Sequence, residues 1–222
     1  MALLLSYYSV YSYAEITKSK ESQWITDWVL EKNERGISAK CRQNKNKINQ
    51  CKFTTVSNES VAALTAVVAD VDNYKLWAVS VKISKKMPPL DAINNIYVYT
   101  EYDFSGAYNR YAVTRYWAEK DPLTHGIKFN FLTENRPTPL ADLRLVKFPL
   151  MAGYWKFTPL PNGKTQIEHM SFVPPGGVVQ ETLYYPYNLA VRNATFDTIL
   201  ALEKQARLPK YQAFNLALLF KK

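Results

Sequence analysis

PPGGVVQETLYYPYNLAVRNATFDTILALEKQARLPKY, residues 174–211, decides how the chain is read. Pro174, Pro175, Gly176 and Gly177 stop whatever precedes them. From Val178 apolar residues return at helical spacing, at Leu189, Phe196, Ile199, Leu200 and Ala206. Gln180, Glu181, Arg192, Asn193, Glu203 and Lys204 supply a wet side. Lys204 and Arg207 fall in the last turn, where cations suit the helix dipole, and Pro209 ends the run. The pattern predicts a helix of roughly thirty residues, which at about 1.5 Å per residue crosses a whole domain. A sheet with an apolar concave face needs such a cover. Whether helix and sheet touch everywhere, or enclose a hollow, decides what the protein can do.

The stretch before the helix is β-rich. WAVSVKISKKM alternates Val79, Val81 and Ile83 with Ser80, Lys82 and Ser84. NNIYVYTEYDF, NRYAVTRYWAEK, HGIKFNFLTENR, DLRLVKFPL, GYWKFTPLP and TQIEHMSFVP follow, each short and rich in aromatic or β-branched residues. Pro161-Asn162-Gly163 marks a hairpin turn, and antiparallel pairing is expected for such a meander. Further upstream, SVAALTAVVADVDNYKLW reads as a short helix capped by Ser57 or Asn58 and ending near Asp72-Asn73, with Val61, Leu64, Val68 and Val71 on one side.

Residues 37–57 read as a hairpin turning near Asn46, which sets Cys41 opposite Cys51. These are the only two cysteines; a cross-strand disulfide in an exported protein is expected, against two unrelated thiols in a cytosolic one. Residues 21–34, ESQWITDWVLEKNE, read as an amphipathic helix with Trp24, Ile25, Trp28 and Val29 on one face and Gly36 as its C-cap. Residues 1–14 carry no charge and read as the back half of a secretory signal peptide, or else as an apolar arm. Residues 15–222 read as a single α+β domain, with an antiparallel sheet expected to wrap around the C-terminal helix and two shorter helices before it.

Composition bounds the chemistry. The 222 residues can build a sizeable core, and 47% hydrophobic content excludes disorder. Sixteen Tyr, ten Phe and five Trp can pack a core or line a cavity. A net charge of +9 permits anionic membranes, nucleic acid or acidic ligands. Its one cluster, Lys40, Arg42, Lys45, Lys47 and Lys52, reads as a solvated hairpin or a transient membrane contact; no nucleic-acid motif accompanies it. There is no GxSxG, HExxH or GxxxxGK[ST], no tetrahedral ligand set for a metal, and no cofactor is implied. His169 and Glu168 are strand neighbours pointing to opposite faces, so they form no dyad, and His125 follows a turn; both histidines read as structural or surface residues.

Five local patterns in order give the chain a family resemblance. Trp28-Val29-Leu30 with Gly36-Ile37, Asp72-Asn73-Tyr74 with Trp77, RYAVTRYW at 110–117, GYWKFTP at 153–159 and Pro175-Gly176-Gly177 resemble successive landmarks of START lipid-transfer domains, within the helix-grip superfamily. At RYAVTRYW the chain departs from the family's pattern, Arg110 standing where the family has an acid. The resemblance implies a helix-grip fold, a monomer, and one lipid or sterol held between sheet and last helix without covalent chemistry. It implies that Arg115 meets an acidic partner in the cavity, and Glu101 on the preceding strand is the candidate partner. Trp117 shares the face of Arg115. Candidate walls are Tyr97, Tyr99, Phe129, Phe131, Trp155 and Met170, with Leu183, Tyr187, Val191, Ala194 and Thr198 on the helix. Ordinary core packing is the alternative for each aromatic. Rival functions are a superfamily enzyme using Glu101, Arg115 or His169, and a membrane-docking module using the basic hairpin. A periplasmic or secreted location is expected.

Overall fold

Arg35 and Gly36 both adopt positive φ, 51° and 76°. Two consecutive residues in that region make the two-residue hairpin turn whose twist matches the flanking strands. Gly36 is therefore a turn residue, and Val29–Glu34 is a strand (β1) paired antiparallel with β2, Ile37–Gln43. The computed structural model describes residues 23–90, 94–103, 109–138, 144–177 and 181–220. Over its described residues, the helix expected at 21–34 is thus replaced by an extended segment. The helical spacing of Trp24 and Trp28 serves a different purpose. Both rings lie against the Arg42 guanidinium, at 4.4 and 4.6 Å, and Trp24 also meets Phe172 edge-on. Ile25, Val29 and Leu30 stay exposed, so no apolar helix face is buried here. The expectation for residues 1–14 lies outside the described residues.

β2 continues into β3, Asn49–Ser57, with Cys41 opposite Cys51 and the two sulfurs bonded. The remaining strands are β4 (Val81–Met87), β5 (Ile96–Tyr102), β6 (Arg110–Lys120), β7 (Ile127–Thr133), β8 (Val146–Lys147), β9 (Ala152–Pro159) and β10 (Thr165–Phe172). Their order across the sheet is β1-β2-β3-β10-β9-β7-β6-β5-β4. All pairs on this path are antiparallel; β8 departs from the expected meander and lies parallel to β6. Gly163, with φ 75°, turns β9 into β10 as the Pro-Asn-Gly signal anticipates.

Helix α1 is Val61–Ala69, capped by Ser60, whose Oγ accepts from the Ala63 N–H at 3.1 Å. Ser57 and Asn58, the expected caps, lie before it. Ala63 through Val68 are all buried. A helix covered on every side is apolar all round, which is why its residues show no single stripe. A 3₁₀ segment, Val71–Leu76, follows. The long helix α2 is Tyr184–Ala206, preceded by a 3₁₀ turn, Glu181–Leu183; Pro186 falls in its first turn, where a missing N–H costs nothing. A short helix α3, Pro209–Gln212, and a 3₁₀ segment, Leu216–Phe220, close the chain.

The α+β helix-grip architecture is present: a ten-stranded sheet whose concave face carries α1 and α2. Phe53, Phe129, Phe157, Ile127 and Ile167 from the sheet pack with Leu64, Val67, Phe196, Ile199 and Leu202 from the helices in one core. Among the described residues no helix is long and apolar enough to cross a membrane. The disulfide closes a ten-residue span. Chain-entropy arithmetic assigns such a crosslink about 2–3 kcal/mol. Replacing both cysteines with serine should therefore lower the melting temperature by roughly 5–10 °C in calorimetry, and reductant should not shift the variant further.

Candidate functional site

Helix α2 is seated unevenly. In its C-terminal half Phe196, Ile199, Leu202 and Ala206 are buried. In its N-terminal half the sheet-facing residues are small: Ala190, Val191, Ala194 and Thr195. Small side chains cannot reach the sheet, and a cavity of about 360 Å³ remains beneath them. Polar pins hold this half instead. Asn188 accepts from the Asn49 N–H at 3.1 Å and donates to the Lys47 carbonyl at 2.8 Å. Tyr187 donates to the Val173 carbonyl at 2.7 Å, and Arg192 pairs with Glu31 at 2.7 Å. Arg110, buried in β6, donates from Nε to the Pro175 carbonyl and ties the Pro-Pro-Gly-Gly stop to the sheet.

The cavity floor is aromatic. Strand alternation brings Tyr116 of β6, Phe131 of β7, Trp155 of β9 and His169 of β10 to the concave face. Tyr116 lies opposite Phe131, Phe131 opposite Gly153, and Trp155 opposite His169. Gly153 is required at its place: a Cβ there would stand 2.0 Å from the Met170 carbonyl oxygen and 2.5 Å from the Phe131 ring. Tyr74 and Trp77 complete the ring system from the 3₁₀ segment and its end, Tyr74 meeting both Trp77 and Tyr116 edge-on.

Of the residues anticipated from sequence, Phe131, Trp155, Val191, Ala194 and Thr198 line the cavity. Phe129 is on the same face but buried in the packed core. Tyr187 lines a small annex beside Asn188, and Leu183 is half-exposed outside. Six residues belong to the other face. Because Tyr116 and His169 point inward, their neighbours Arg115, Trp117 and Met170 point outward. Tyr97, Tyr99 and Glu101 pair across the strands with Arg115, Val113 and Tyr111, and so share that outer face. There Arg115 binds Glu134 at 3.2 Å and stacks on Trp117 at 4.6 Å, while Tyr99 donates to Glu101 at 2.7 Å. A strand read one residue out of phase exchanges its two faces, which is the whole of the discrepancy.

Among the lining residues that sequence reasoning missed are Tyr74, Trp77, Tyr116 and His169. For His169 a signal existed. The turn at Pro161–Gly163 is centred on Asn162, so a β9–β10 hairpin must set residue 155 against residue 169. Accepting Trp155 as a wall therefore requires His169 to be one.

Electrostatically the site is nearly neutral. Asp103 is the one charged side chain among the described lining residues. Burial pushes the phenols of Tyr74 and Tyr116 well above their ordinary range, so they remain protonated. Burial likewise pushes the His169 imidazole down to about 3, against an opposing pull from the Tyr154 carbonyl. His169 stands 4.0 Å from the Trp155 ring centroid and 5.9 Å from that of Phe131. Its Nδ1 and the Trp77 Nε1 are buried without a hydrogen-bond partner. The arrangement can hold an apolar body and offer it two polar contacts.

A base that is neutral when folded and protonated when unfolded contributes stability that is complete above about pH 6.5 and lost as pH falls towards about 3. Between neutrality and about pH 4.5 the loss from this one group should reach roughly 2–3 kcal/mol. Wild-type protein should thus lose more melting temperature over that interval than His169→Leu does, a difference that paired thermal melts at each pH will read.

No protein-family model and no curated protein matches the chain. Solved structures do. A STAR-related lipid transfer protein from Xanthomonas axonopodis superimposes with a TM-score of 0.72 at 20% identity, covering 82% of this chain and 100% of that one. Human StAR-related lipid transfer protein 5 gives 0.69 at 12% identity, covering 87% of this chain and 91% of that one. An aromatase/cyclase from Streptomyces sp. R1128 gives 0.50 at 14% identity over 71% and 92%. With its sheet order, its long closing helix and these superpositions together, the chain has the helix-grip fold of the StAR-related lipid-transfer (START) domains.

Proposed function

We propose that the chain binds one molecule of a lipid, sterol or similar hydrophobic ligand beneath α2, and passes it on without covalent chemistry. The hollow of about 360 Å³ under the small side chains of α2 carries this reading. That volume falls in the range of small-molecule sites, roughly 300–1,000 Å³. Apolar walls favour a ligand by removing its surface from water, at about 25 cal/mol per Å². The lipid-transfer names of the first two structural relatives support the same reading. We take the carrier to act as a monomer.

Access runs past the segment Trp77–Val81, which lines the cavity beside α2. One hydrogen bond joins the two, the Val79 N–H donating to Thr198 Oγ1 at 3.0 Å. The disulfide fits an oxidising compartment, and we place the protein in the periplasm or outside the cell. The cations of the β2–β3 hairpin, Lys40, Lys45, Lys47 and Lys52, would serve a transient contact with an anionic membrane.

An enzymatic reading has one observation in its favour, a buried imidazole in the cavity of a fold that an aromatase/cyclase shares. Acid–base work needs a titratable partner beside it. Glu101 and Arg115 lie across the sheet, and the rings around His169 are Phe53, Phe131 and Trp155. We therefore favour binding.

Native mass spectrometry of protein purified from its host should show one bound lipid per chain. Chains that stay empty and take up no added lipid would overturn the reading. Ala194→Trp projects an indole into the hollow. It should weaken binding of the neutral probe N-phenyl-1-naphthylamine by at least about tenfold, some 1.4 kcal/mol. Thr198→Val removes the latch without adding bulk. Losing one hydrogen bond of about 1 kcal/mol should speed probe release roughly fivefold in stopped-flow fluorescence.

A further inference from the structure

We infer that the ligand carries an uncharged oxygen, a hydroxyl or a carbonyl, and that Trp77 and His169 are the side chains that receive it. This deepens the reading of the cavity as a ligand site and rests on it.

Two buried polar atoms of residues that line the cavity are unaccounted for. The Trp77 indole Nε1 and the His169 imidazole Nδ1 are buried and make no hydrogen bond within the protein. Both residues are more than nine-tenths buried, at 7% and 6% exposure. Neither can turn away to water. Trp77 packs edge-on against Tyr74 at 5.3 Å, and His169 is held against Trp155 at 4.0 Å. Leaving a buried donor or acceptor empty costs roughly 1–3 kcal/mol. An occupant that satisfies both recovers that cost. Three other polar groups of the wall have partners within the protein. Tyr74 donates to the Val68 carbonyl, Thr195 to Val191, and Thr198 to Ala194.

Chemistry then narrows the occupant. Indole only donates, so it demands an acceptor oxygen. Neutral imidazole accepts or donates at Nδ1 according to its tautomer. A hydroxyl or carbonyl oxygen suits both. A carboxylate, sulfate or phosphate does not, because a buried anion needs a cation beside it. Among the described lining residues there is no lysine or arginine, and Asp103 adds a negative charge. Residues 104–108, which follow Asp103, are Phe, Ser, Gly, Ala and Tyr and contain no charge. The nearby strand cations are spent elsewhere: Arg110 holds Pro175, and Arg115 lies on the outer face with Glu134. Head-group recognition by a buried arginine, implied by the family resemblance, is replaced here by two uncharged ring nitrogens.

The test is displacement of N-phenyl-1-naphthylamine from the full chain by matched ligands at about pH 8, where neutral imidazole is the form present. One set is 1-dodecanol, dodecanoate and dodecane; the other is cholesterol and cholesterol sulfate. The first carries the hydroxyl on a chain, the second on fused rings. In at least one set the uncharged alcohol should bind about tenfold or more tighter than its anionic partner, and 1-dodecanol should outrank dodecane. Trp77→Phe and His169→Leu should each cut the dodecanol-to-dodecane affinity ratio by roughly three- to tenfold. His169→Asn, which keeps a polar atom near the Nδ1 position, should restore part of it. An anion binding as well as or better than its alcohol in both sets overturns the inference, as does an unchanged ratio in variants that melt cooperatively. The wild-type ranking needs no variant and stands if a substitution prevents folding. Probe binding without head-group discrimination sinks this inference alone; no binding of probe or ligand sinks the ligand-site reading and this inference with it.

Discussion

The structure depends on where α2 can touch the sheet. Phe196, Ile199 and Leu202 reach the core and fix the C-terminal half. Towards the N-terminus Ala194, Val191 and Ala190 fall short of it. A helix is a stiff rod, so anchoring one end by large side chains holds the other at a set height. The gap beneath the small residues follows from that. Were α2 covered with large residues along its length, the same sheet would enclose a solid core and there would be no site. The pins at its N-terminal half are polar and few: Asn188 to the β2–β3 turn, Tyr187 to Val173, Arg192 to Glu31. Hydrogen bonds of this kind contribute about 1 kcal/mol each and exchange readily with water. The half of the helix that covers the cavity is thus the half most easily released.

The cavity also explains how polarity is distributed across the sheet. Cations and carboxylates gather on the outer face, where Arg115, Glu134, Glu101 and Lys128 neighbour the rings of Trp117, Tyr99 and Tyr154. There the faces of Trp117 and Tyr154 meet cations, and the buried Tyr99 gives its hydroxyl to Glu101. Inside, rings meet rings. His169 is tolerated in that company only because burial keeps it neutral. An interior of this kind discriminates against charge before any specific contact is made, since desolvating an unpaired ion costs more than one or two hydrogen bonds return.

Much of this was legible in the residues themselves. The period of α2, the Pro-Pro-Gly-Gly stop, the strand runs, the Asn162 turn and the facing cysteines each depend on spacing within one segment, and spacing is written in the chain. Local periodicity misled at Trp24 and Trp28. Their separation of four matches a helix equally well as it matches two rings clasping Arg42 from an extended segment. The competing hairpin was also present locally, in Arg35-Gly36, but it prevailed because β2 offered a backbone partner.

From its sequence alone the chain determined that a curved sheet would be covered by one long helix, and that the two cysteines would meet. Tertiary structure alone decided which face of each strand looks inward, and hence that Tyr116 and His169, rather than Arg115 and Met170, meet the cavity. Alternation along a strand is a local property, but its phase is not. Phase is set by the partner strand and by what packs against the sheet, and both lie far away along the chain.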